Sequence, residues 1–245
     1  MTVLLISDLH LDAARPQITA LFERFLHNQG RQATALYILG DLFEAWVGDD
    51  DDGELPTRVA AALADLRAAG VTVYFMAGNR DFLLGDAYAR RAGLTLLADG
   101  AVHTLAGTPT LLMHGDTLCT DDEAYQTFRR QVRDPAWQRD FLARPLTARK
   151  AFAAQARAAS RSHQQDAREA ILDVNPDAVV HALRTAGVRR LIHGHTHRPA
   201  IHDITLDGAP AQRIVLGDWY EQGSVLRVTR ETAKLSSLTA GALPA

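Results

Sequence analysis

Short apolar runs separated by amphipathic stretches dominate the chain. Val3–Ile6, Ala35–Ile38, Val71–Met76 and Thr110–Met113 each carry four to six mostly apolar residues without alternation, the pattern of strands covered on both faces, and Arg189–Ile192, ending in Leu191-Ile192, reads as a further strand. Between them, residues 16–29, 55–69 and 85–92, and a stretch from Val179 to Gly187, repeat apolar positions at helical spacing, with Pro16 opening the first and Gly70 closing the second. This alternation predicts an α/β fold. Ile201–Leu206, Ile214–Leu216 and Val225–Thr229 read as an antiparallel closing set with Asp207-Gly208 as a hairpin turn. Residues 93–108 read as a glycine-punctuated connection and the tail after Leu235 as loose. One block departs from the alternation. Residues 120–170 show no strand pattern and three helix starts: the capping box Thr120–Glu123, Asp134-Pro135, and Pro145, which opens a long alanine-rich helix reaching about Ala170. The expected organisation is a core of residues 1–119 and 171–245 with a helical insertion at 120–170.

Charge sharpens that division. Between residues 129 and 168 ten Lys/Arg face three Asp, a local +7 in a chain of net −3, which leaves −10 for the rest. A basic helical surface is one reading. An insertion facing an anionic substrate or anionic headgroups is the other, with Arg149 and Lys150 as charges toward a membrane surface. The four acids Asp49–Asp52 read as a solvated loop. The net charge gives no sign of a nucleic-acid partner. Cys119 is the sole cysteine of 245 residues, so no internal disulfide forms and a reducing cytosol is expected. The N-terminal apolar run is too short for a signal segment, and no stretch approaches the roughly 18–20 apolar residues of a bilayer span, so membrane contact is expected to be peripheral.

The chemistry sits where the strands end. Asp8-Leu-His10, Leu39-Gly40-Asp41-Leu42, Gly78-Asn-Arg-Asp81, His114-Gly-Asp116 and His193-Gly-His-Thr-His197 each follow an apolar run, the position at which open α/β sheets place their sites. Asp8, His10, Asp41, Asn79, His114, His195 and His197 make an oxygen and nitrogen donor set without thiolate, suited to Mn²⁺, Fe or Zn²⁺ rather than Ca²⁺. Seven donors are too many for one ion with open positions but suit two ions sharing Asp41, a pair that can clamp a phosphoryl group and activate water.

These fragments resemble the calcineurin-like metallophosphoesterase superfamily (D-x-H, GD, GN-x-D/E, H, GH-x-H) over roughly residues 3–220. The resemblance implies two packed β-sheets flanked by helices, a four-layer αββα fold with a helical cap. It also implies one ion on Asp8, His10, Asp41 and His197, a second on Asp41, Asn79, His114 and His195, and catalysis centred on Asp41, Arg80, His114 and His195. Many members carry His where this chain has Arg80, which cannot transfer a proton near neutral pH but can hold phosphate oxygens. Arg80, the helical block and the run Leu191–Pro199 resemble the branch that hydrolyses the pyrophosphate of UDP-2,3-diacylglucosamine to UMP and 2,3-diacylglucosamine 1-phosphate in lipid A synthesis. That branch implies manganese and peripheral attachment to the cytoplasmic side of the bacterial inner membrane. Substrate contacts implied are Asn79, Arg80, Asp122, Tyr125, Arg157, Ser160, His195 and Gln164, the last where the branch has Asn. Ala167 stands where the branch has Lys and cannot hold a phosphate. Phe82, Leu83, Phe128, Val132, Trp137, Phe141 and Phe152 would supply apolar surface, either as helix packing or as an acyl groove. The alternatives are a relative acting on soluble nucleotides or dinucleoside polyphosphates, and a metal-free interaction module on the same fold.

Overall fold

The computed structural model describes residues 2–166 and 173–239, with the backbone alone for 161–166. Two mixed sheets pack face to face. The first holds, in spatial order, β11 (Ala233–Leu238), β10 (Gly223–Val228), β1 (Val3–Ile6), β2 (Ala35–Leu39), β3 (Thr72–Met76) and β4 (Leu94–Leu97). The second holds β5 (Ala101–Leu105), β6 (Thr108–Leu112), β7 (Arg190–His193), β9 (Ala209–Val215) and β8 (Ala200–Leu206). Alternate residues of each strand serve opposite faces. Val3, Leu5, Leu39, Met76, Leu112, Ile192 and Ile214 fill the space between the sheets. Leu4, Ile6, Leu36, Ile38 and Phe75 instead meet α1 (Pro16–Asn28), α2 (Glu54–Ala68) and α3 (Asp86–Ala92). On the far side, Leu111 and Leu191 meet Val179 and Leu183 of α7 (Pro176–Ala186). Strands buried on both faces explain the unbroken apolar runs.

The structure corrects the reading in several places. The connection at 93–108 contains β4 and β5. β4 is an edge strand with two exposed positions, and in β5 the apolar Val102 faces solvent while His103 meets Tyr37 Oη at 3.0 Å. The usual alternation is therefore reversed. The first residues of the tail read as loose, Ser236–Leu238, belong to β11, antiparallel to β10, and the tail from residue 240 lies outside the described residues. The closing set divides between the sheets: β8 pairs β9 in the second, whereas β10 pairs β1 in the first.

After β6 come α4 (Glu123–Val132), α5 (Pro135–Leu142) and α6 (Leu146–Asp166). The cap of α4 is Asp122, accepting from Tyr125 N at 2.9 Å, rather than Thr120. The extension of the last helix to Ala170 lies outside the described residues. The acidic run is structural. Asp49 accepts from Gly85 N and Tyr88 N at 2.9 and 3.0 Å, Asp50 pairs with Arg149, and Asp51 pairs with Lys150 at 3.0 Å. Arg149 is 2% exposed and also donates to the Val47 carbonyl, so it is a buried tie rather than a membrane-facing charge. Arg129 binds Asp116 at 2.7 Å, Arg133 the Gly78 carbonyl at 2.9 Å, and Arg157 Glu44 at 2.9 Å. Much of the charge asymmetry is thus used between the helical block and the core.

Candidate metal centre

The loops leaving β1, β2, β3, β6 and β7 converge at one rim. Asp8 N and His10 N donate to the carbonyls of Gly40 and Asp41 at 3.1 and 2.9 Å, which locks the first two loops together. Seven non-glycine residues among those described have positive φ, and five are Asp8, His10, Asp41, His195 and His197. Each such turn costs about 1 kcal/mol or more and persists only where neighbours hold it; here the turns bring the side chains to a common point. Two glycines of the motifs are explained by close approach. A Cβ on Gly40 would collide with the His114 ring, and one on Gly194 with the Asp8 carboxylate and Ser7.

The donor atoms of Asp8, His10 and His197 lie within 4.8 Å of one another, as do those of Asp8, Asp41 and His114. His10 Nε2 faces His197 Nε2 at 3.2 Å, and Asp8 Oδ1, 3.4 Å from His197 Nε2, is buried without a hydrogen-bond partner. Asn79 Oδ1 lies 2.8 Å from His114 Nε2 and 2.9 Å from His195 Nδ1. Asp41 stands between the two sets, with Oδ2 3.8 Å from His10 Nε2 and Oδ1 3.8 Å from His114 Nε2. Opposed ring nitrogens and an orphaned carboxylate oxygen fit cations placed among them. All seven sequence-derived donors therefore meet.

Electrostatics agree. Burial pushes the Asp8 carboxyl up, but His197, His114 and His10 outweigh it and hold it below the ordinary range. Burial disfavours charge on His114, yet Asp41, Asp8 and Asp116 raise it to about 9, while burial and His114 lower His195 to about 4. Ionised carboxylates in a desolvated pocket draw positive charge.

Four residues around the donors lay beyond the sequence reading. Asp81, fully buried, accepts from Gly78 N at 2.8 Å and Leu42 N at 2.7 Å and so fixes the loop of Asp41; burial and Asp41 raise it to about 6. Glu44 faces His10 Nδ1 at 3.1 Å, and Asp218 faces His197 Nδ1 at 3.6 Å. Burial opposes charge on Glu44, but His10, Arg80 and Arg157 lower it to about 2. Asp116 accepts from Tyr125 Oη at 2.6 Å and Arg129. Asp81 and Asp116 stand inside the quoted motifs and Glu44 three residues past Asp41, but their partners come from other loops.

The calcineurin-like phosphoesterase family model matches residues 1–199. The chain belongs to the calcineurin-like phosphoesterase family. It is 58% identical over 223 residues to a protein of Cellvibrio japonicus (strain Ueda107) named UDP-2,3-diacylglucosamine hydrolase, covering 91% of this chain and 93% of that one. A protein of the same name from Xanthomonas axonopodis pv. citri (strain 306) is 57% identical over 245 residues, covering 97% and 99%. Among solved structures, a novel archaeal phosphodiesterase superposes with TM-score 0.51 at 12% identity over 97% of this chain and all of that one, a likeness of fold. As a calcineurin-like phosphoesterase the chain is a metal-dependent hydrolase, and its donor set fits divalent ions.

A cavity of about 620 Å³ opens over this phosphoesterase centre. His10, Asp41, Asn79, His195 and His197 line one part, with Arg80, Asp122, Tyr125, Arg157 and Ser160 beside them. Of the substrate residues expected from sequence, the side chain of Gln164 lies outside the described residues, as does Ala167. Phe82, Leu83, Phe128, Trp137, Phe141 and Phe152 also line the cavity, whereas Val132 is buried in α4.

Proposed function

We propose that this chain hydrolyses the pyrophosphate bond of UDP-2,3-diacylglucosamine to UMP and 2,3-diacylglucosamine 1-phosphate, a step of lipid A synthesis. Its relatives' names support the substrate. The observation that carries the reading is the single cavity joining the metal donors to an aromatic wall, because a soluble nucleotide needs no such wall. Two divalent ions, for which Mn²⁺ suits the mixed donors, would polarise the phosphoryl oxygens and activate water when held by Asp8, His10, Asp41 and His197 and by Asp41, Asn79, His114 and His195. Arg80 presents a buried Nε without a partner and would hold phosphate oxygens. Arg157 adds positive charge, and Asp122 and Ser160 offer polar groups beside it. The Tyr125 hydroxyl is already given to Asp116, so its ring, 5.9 Å from that of His195, would serve as wall.

The block 120–170 acts in this reading as a cap gripping acyl chains, each buried methylene contributing about 0.8 kcal/mol. Phe128 and Leu142 are exposed on it at 39% and 41%, with Arg130, Arg139 and Arg144 also exposed. Such a surface suits peripheral contact with the anionic cytoplasmic leaflet of the inner membrane. No helix among the described residues is long and apolar enough to cross it.

Phe141 is only 2% exposed, so the groove is better tested at Phe128. Phe128→Ser is expected to raise KM for UDP-2,3-diacylglucosamine roughly 4- to 15-fold, the contact of one or two methylenes. Metal content and hydrolysis of the deacylated UDP-sugar should stay unchanged in the same assay. Equal losses on both substrates would remove the acyl groove from the account.

A further inference from the structure

Glu44 touches two functional elements with two different oxygens. Oε2 lies 3.1 Å from His10 Nδ1, and both atoms are buried without a hydrogen-bond partner, so each is the nearest group that can satisfy the other. Oε1 lies 2.9 Å from a guanidinium nitrogen of Arg157 on α6, which also approaches Asp12 at 3.7 Å. Arg15 comes within 3.9 Å of Oε2 but gives its hydrogen bond to the His10 carbonyl. The His10 face toward the donor cluster is Nε2, 3.2 Å from His197 Nε2. For Nε2 to offer a lone pair to a cation, the ring proton must sit on Nδ1, and a carboxylate behind that nitrogen holds it there.

We infer that Glu44 is a positioning residue that couples the seating of Arg157 on the helical block to the metal-binding tautomer of His10. Both of its neighbours must donate, since a guanidinium has no acceptor and Nδ1 carries the proton. A carboxylate satisfies both. An amide in its place has one oxygen and one NH₂, so it satisfies only one. With Arg157 present the amide oxygen turns to the guanidinium, and the NH₂ faces Nδ1. The imidazole proton is then driven to Nε2, where it blocks metal binding. Removing Arg157 frees the amide oxygen to rotate to Nδ1–H. The inference rests on the cluster holding metal and not on the substrate, so its failure is separable from failure of the hydrolytic reading.

The test is Mn²⁺ titration of the full chain, following free aqua Mn²⁺ by electron paramagnetic resonance, with circular dichroism as a check of folding. Glu44→Gln is expected to weaken one of two binding steps by about 10- to 100-fold. Adding Arg157→Met should restore most of that loss, although it removes a second side chain. Glu44→Ala should weaken the same step, and Arg157→Met should not rescue it. Wild-type affinity in Glu44→Gln, absence of rescue, or equal rescue of Glu44→Ala would overturn the coupling. A merely structural Glu44 predicts that the second substitution adds damage.

Discussion

Asp41→Ala is expected to lower turnover by more than about 10³-fold and to deplete both ions. Loss of a single preorganised electrostatic group typically costs about 10²–10³, and this carboxylate faces both donor sets, 3.8 Å from His10 Nε2 on one side and 3.8 Å from His114 Nε2 on the other. Its Oδ1 also accepts from Arg80 N at 2.8 Å, so the substrate-facing loop loses an anchor. Asp41→Asn separates these roles, because an amide oxygen still accepts from Arg80 N while the negative charge is gone. Metal analysis beside kinetics reads both. An Asp41→Ala protein that holds two ions and turns over normally would refute the bridging role.

Arg80→Ala should lower kcat by about 10²–10³ while metal content stays at the wild-type level. The backbone of Arg80 is fixed independently of its side chain: its carbonyl accepts from Trp46 N at 2.9 Å and its N–H donates to Asp41. Truncation therefore removes the cationic group and leaves the loop. Arg80→Lys should recover part of the loss, since an ammonium keeps the charge but not the planar fork. Arg80→His asks whether this position transfers a proton; full activity in that variant would mean that it does. A rise in KM alone would assign Arg80 to ground-state binding.

The convergence of the candidate donors was legible because each follows an apolar run by one to five residues, and the side chains of Asp8, His10, Asp41, Asn79, His114, His195 and His197 do come together. The glycines beside them report the same fact, since the Gly40 and Gly194 backbones pass where a side chain would strike a donor. What stands behind the donors was not legible. Glu44 and Asp218 meet His10 and His197 only after distant loops come together, and nothing in their local spacing marks that meeting. Edge strands were missed because pattern follows burial: β4 and β11 expose much of their surface, and β5 turns Val102 outward. Charge misled in one respect. The acids at 49–52 and several cations of the helical block looked like separate solvated surfaces, yet Asp50 and Arg149 are each other's partners across 99 residues.

The most direct measurement is product identification by mass spectrometry after incubating the Mn²⁺-loaded protein with UDP-2,3-diacylglucosamine. The account predicts UMP and 2,3-diacylglucosamine 1-phosphate in equal amounts, abolished by chelation and restored by added Mn²⁺. UDP with a free diacyl sugar, or no cleavage by protein that retains two bound ions, would contradict it.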